Sequence, residues 1–75
     1  MLVNLEIIDF NKFRRIKLLI ENQIKLAKLR EKLEVPSDYE VLINGFYEPD
    51  DYSIQSNDTI LFIANSQLDQ LKNFS

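Results

Sequence analysis

Gly45 is the only glycine in the 75-residue sequence, and it directly follows Asn44 at the end of the β-rich run Tyr39–Ile43. Asn-Gly is the strongest short hairpin signal, because both central residues of a type I′ turn need positive φ. The chain is therefore expected to reverse at this point, with Phe46 and Tyr47 opening a return strand that Pro49-Asp50-Asp51 breaks. A second turn at Ser56-Asn57-Asp58 precedes Thr59 to Ala64, the clearest strand in the sequence, with the dense apolar run Ile60-Leu61-Phe62-Ile63.

Upstream, the hydrophobic period changes once. In Leu2 to Asp9, Val3, Leu5 and Ile7 alternate with Asn4, Glu6 and Asp9, the period of a half-buried strand, although Ile8 interrupts it. Phe10-Asn11-Lys12-Phe13 reads as a short connection, and Arg14 to Ile20 alternates again, giving an N-terminal hairpin. From about Ile24 to Leu33 the spacing of Leu26, Leu29 and Leu33 puts them on one helical face, with Asn22 as the expected cap. Pro36 cannot continue that helix, and Ser37-Asp38 extends the break.

A helix between two hairpins, in a chain of this length, requires one sheet whose apolar face packs on the helix. The expected fold is α+β, a β-grasp (ubiquitin-like) domain with a mixed four- to five-stranded sheet in the order ββαββ(β). Its first and last strands would run side by side and parallel in the middle of the sheet. Residues 1–65 form this domain and residues 66–75 a tail. In the tail, Ser66 three residues before Asp69 is a weak form of a capping box, and Leu68, Leu71 and Phe74 would lie along one side of a short helix. It reads as a docking peptide or as a terminus that frays or folds back.

Composition narrows function by removal. Without cysteine or histidine there is no disulfide, thiol nucleophile, imidazole base or usual zinc or iron ligand. Neither a pocket nor an activated nucleophile is visible, so no enzymatic activity and no cofactor is expected. With 45% hydrophobic and 28% charged residues the chain should fold. No apolar stretch approaches the roughly 20 residues that span a bilayer, and no basic segment leads into an apolar one at the N-terminus, so a cytoplasmic protein is expected. The net charge of −3 disfavours phosphate backbones and makes nucleic acid an unlikely partner.

From Leu26 onward the sequence resembles the sulfur carriers of thiamine and molybdopterin synthesis, the ThiS and MoaD families, and more closely the ThiS-like ubiquitin domains associated with E1-like adenylyltransferases. The segments that carry the resemblance are Leu29-Arg30-Glu31-Lys32-Leu33, then Tyr39-Glu40-Val41-Leu42-Ile43-Asn44-Gly45-Phe46, then Ile54-Gln55-Ser56-Asn57-Asp58-Thr59-Ile60-Leu61-Phe62-Ile63. Sulfur carriers end in Gly-Gly shortly after the final strand, a slim terminus that threads into the activating enzyme. Here Asn65-Ser66-Gln67-Leu68-Asp69 stands in that place, and no glycine follows Gly45. The resemblance thus implies a fold and a partner class, an E1-like adenylyltransferase or a thiazole-synthesis protein, and not a carrier activity. The alternatives are an RNA-associated module like the TGS domains, or the N-terminal part of a longer adenylyltransferase.

The candidate contact residues follow from strand parity. If Ile60 and Phe62 lie under the helix, Leu61 and Ile63 face the other way and, with Leu42 and Leu19, would form an exposed apolar patch that a partner or a second copy covers. Arg14, Arg15 and Lys17 form a basic cluster near the first turn, balanced by Glu6, Asp9 and Glu21. Glu48, Asp50 and Asp51 match no calcium loop, so no metal site is expected. Tyr39, Tyr47 and Tyr52 are expected to pack their rings at the sheet margin with hydroxyls in water.

Overall fold

Among the described residues, runs of alternating apolar residues form strands on both sides of the segment of helical period around Leu26, Leu29 and Leu33. The computed structural model describes residues 1–9 and 12–65. Its elements are β1 (Leu2–Asp9), β2 (Lys12–Leu19), α1 (Leu26–Lys32), β3 (Tyr39–Ile43) and β4 (Thr59–Ala64). The strands form one mixed sheet in the order β2-β1-β4-β3. β1 runs parallel to β4, and both outer pairs are antiparallel.

The register decides which side chains meet the helix. Leu5 lies opposite Ile16 on one side and Ile60 on the other, while Phe62 lies between Ile7 and Val41. Because strand side chains alternate, the helix-facing set is Val3, Leu5, Ile60, Phe62, Val41 and Ile43, and these pack with Leu26 and Leu29 of α1 and with Ile54. Phe62, at 1% exposure, is the largest of these side chains.

α1 is shorter than its apolar period suggests, and the loop before β4 explains why. Ile54 donates its N–H to the carbonyl of Ile24 at 2.9 Å, and Lys25 forms an isolated bridge with Ser53. Residues 24 and 25 are therefore extended, and the helix is entered from Lys25 with no side-chain cap, not from Asn22. At the other end Glu34 takes φ 55°, its N–H bonds the carbonyl of Glu31, and the N–H of Val35 bonds that of Arg30. This is a Schellman ending with a glutamate in the left-handed position that glycine usually fills.

Asn44 and Gly45 have φ of 52° and 87°, both positive as a type I′ turn requires. Ile43 and Phe46 exchange two backbone hydrogen bonds across this turn. The expected return strand stops there: Phe46 contributes one bridge, and Tyr47 is exposed. Among the described residues the sheet has four strands and no fifth. No helix among them is long and apolar enough to cross a membrane.

Candidate functional site

The sheet face turned away from α1 carries every other residue of the four strands, polar and apolar in turn. Leu42 on β3 and Leu61 on β4 are direct cross-strand neighbours, both half-buried. On the far side of Leu61 lies Glu6 of β1, and opposite Glu6 is Arg15 of β2. Arg15 donates from Nη2 to Glu6 Oε2 at 3.2 Å and rests 5.5 Å from the centre of the Phe13 ring. A row across the sheet thus runs from Leu42 through Leu61 to an ion pair.

The expected four-residue patch is only partly assembled. Ile63, expected in solvent, is 4% exposed. It sits on β4 between Ile8 and Glu40, both half-buried. Leu19 is 72% exposed but stands at the far end of edge strand β2, opposite Leu2 and two strands away from Leu61. Leu42 and Leu61 are therefore the joined pair, and Leu19 with Leu2 forms a separate apolar spot. Leu68, Leu71 and Phe74 lie outside the described residues.

A polar cluster fixes the turn that leads into β4, and strand and helix periods give no hint of it. Asp58, only 6% exposed, accepts hydrogen bonds from the Gln55 N–H (2.8 Å), the Tyr52 hydroxyl (2.7 Å) and Asn44 Nδ2 (2.9 Å). Asn44 Oδ1 in turn accepts the N–H of Thr59 at 2.9 Å. The cluster ties the Asn44-Gly45 turn to the start of β4, and so sets Leu42 against Leu61. Burial pushes the Asp58 carboxyl up, but the donors from Gln55, Tyr52 and Asn44 together outweigh it and hold the pKa below the usual aspartate value. The same hydrogen bond to Asp58, with burial, pushes the Tyr52 phenol up to about 12. The available sequence signal was an aspartate and an asparagine, each at a turn.

Two tyrosines thus depart from expectation. Besides Tyr52, Tyr39 donates its hydroxyl to Asp9 Oδ2 at 2.7 Å, reaching from β3 past β4 to β1, and this hydrogen bond raises its pKa. Ala64 is the β4 residue opposite Tyr39, and its small side chain leaves room for the ring to cross. Tyr47 alone of the three is exposed, at 64%. Asp50 stands 3.8 Å from Arg30, an ion pair anchoring the loop to α1. Among the described residues no group of three or more acidic side chains is placed to hold a metal ion.

No protein-family model matches the chain, and no curated protein matches its sequence.

Proposed function

We propose that the protein is a β-grasp domain of the ThiS-like type, a non-catalytic protein-binding module that docks on an E1-like adenylyltransferase. The observation that carries this reading is the Leu42–Leu61 pair, apolar and half-buried on the sheet face turned away from α1. The strand order with β1 and β4 parallel at the centre, and the positive-φ turn at Asn44-Gly45, support the fold assignment. The residues that follow β4 lack the paired glycines of a carrier, which favours contact over activation.

The test is calorimetric titration of the chain into an adenylyltransferase of the thiamine or molybdopterin type, followed by incubation with ATP and intact-mass analysis. Saturable binding that Leu61→Asp weakens at least about tenfold, with the mass of the chain unchanged, supports the reading. Absence of binding, or a C-terminal adenylate or thiocarboxylate, contradicts it.

A further inference from the structure

The outer edge of β2 is a second surface, independent of the open sheet face. β2 is a terminal strand of the sheet, eight residues long, and all of its residues except Leu18 are exposed. Among the described residues no strand pairs with its outer side. Long open edges are templates for strand addition, and proteins usually shorten, bulge or cover them. This one is continuous in register with β1 from Lys12 to Leu19.

Which backbone groups are free follows from one pair. Met1 and Ile20 exchange both of their backbone hydrogen bonds. In an antiparallel ladder such pairs alternate, so Leu18, Ile16, Arg14 and Lys12 point their amides toward β1. The N–H and C=O groups of Phe13, Arg15, Lys17 and Leu19 consequently point outward.

Charge selects what adds to them. β2 carries Lys12, Arg14, Arg15 and Lys17 and no acidic residue, in a chain whose net charge is −3. Among the described residues the one ion pair any of the four makes is Arg15 with Glu6. A second copy of this chain pairing edge to edge would bring these cations together, which is unfavourable. An acidic strand would be attracted. Next to the C-terminal half of β2, a groove of about 490 Å³ opens toward α1, lined by Leu18, Ile20, Ile24, Leu29 and Leu33 and rimmed by Lys28 and Lys32. Glu21 also borders the groove, and Lys28 lies 3.8 Å from Glu31, so the rim is predominantly but not wholly basic.

We infer that β2 accepts an extended peptide with an aliphatic core and acidic flanks as a fifth strand, its inward side chains entering the groove against α1. Backbone hydrogen bonds to residues 13, 15, 17 and 19 supply the affinity, and the basic residues select acidic flanks.

The probe is a fluorescent peptide with a Val-Ile-Val-Ile core between runs of aspartate, titrated with the full chain and followed by polarisation and by backbone-amide NMR. The expected result is saturable binding with amide shifts concentrated at Phe13, Arg15, Lys17 and Leu19. Lys17→Ala should weaken it a few-fold by removing charge. Lys17→Pro should weaken it at least about tenfold, because it also removes an outward N–H while sparing the ladder to β1. Retained thermal unfolding transitions establish that both variants fold. The inference is overturned by equal binding of a lysine-flanked peptide, by Lys17→Pro binding as Lys17→Ala does, or by shifts confined to β3 and β4. It is equally overturned if the edge is occupied by a second copy in sedimentation analysis, or if single-stranded RNA binds it in preference to the peptide.

Discussion

Tyr52 donates its hydroxyl to Asp58 at 2.7 Å, and Asp58 is the buried charged side chain among the described residues. Tyr52 also offers its carbonyl to the N–H of Leu26 at 2.8 Å, at the start of α1. One tyrosine therefore joins the helix entrance to the turn before β4.

Replacing Asp58 by alanine removes an acceptor that serves Gln55, Tyr52 and Asn44 together. The donors are only partly buried, and the expected loss is about 1–3 kcal/mol, measured by urea unfolding at neutral pH. Asp58→Asn, which keeps an acceptor oxygen, should lose less.

Stability should fall at both ends of the pH scale, for opposite reasons. The folded-state pKa of Asp58 is lowered, so its contribution is present above the unfolded value, about 3.9, and is lost as pH falls through the folded value. The folded-state pKa of Tyr52 is raised to about 12 from 10.0, so its contribution is complete below pH 10.0 and is lost as pH rises toward 12. Phenolate absorbance of wild type and Tyr52→Phe, recorded with unfolding curves across the alkaline range, checks the second half. Tyr52→Phe should show a smaller alkaline loss than wild type.

Glu34 occupies a left-handed position at the end of α1, with φ 55°. An L side chain there carries a backbone cost that glycine lacks, so Glu34→Gly should stabilise the chain by about 0.5–1 kcal/mol. The converse holds at Gly45, where φ is 87°. A Cβ added at Gly45 would meet no atom within 4 Å, so Gly45→Ala should cost about 1 kcal/mol through conformation alone. Chemical denaturation of both variants measures the two effects.

Core and surface apolar residues should separate cleanly. Phe62→Ala, at the centre of the core, should cost about 3–5 kcal/mol and leave little folded protein. Leu19→Ala, at 72% exposure, should change stability by less than about 0.5 kcal/mol in thermal unfolding.

Strands β1, β3 and β4 are legible in the sequence because their periods are strong and their ends are marked: Asn44-Gly45 closes β3, and Ser56-Asn57-Asp58 opens β4. The helix start is not legible. Ile24 and Lys25 have helical spacing, but the Ile24 carbonyl accepts the N–H of Ile54 and the Leu26 N–H goes to the Tyr52 carbonyl, partners far away in sequence. Likewise the Schellman ending hides behind a glutamate where glycine is the usual mark. At the candidate site, strand parity places Leu42 and Leu61 on one face, but parity says nothing about position along a strand. Leu19 therefore falls at the wrong end, and parity does not separate the buried Ile63 from the half-buried Leu61 two residues before it on the same strand. The hydroxyl contacts of Tyr39 and Tyr52 depend on long-range register and leave no local mark.

Whether the Leu42–Leu61 face meets an E1-like adenylyltransferase can be read residue by residue from backbone-amide NMR of the isotope-labelled chain, recorded as unlabelled adenylyltransferase is added. Selective broadening or shifts are expected at Leu42, Leu61 and their neighbours on β3 and β4. Unchanged spectra at saturating partner, or perturbations confined to β2, would rule out docking through this face.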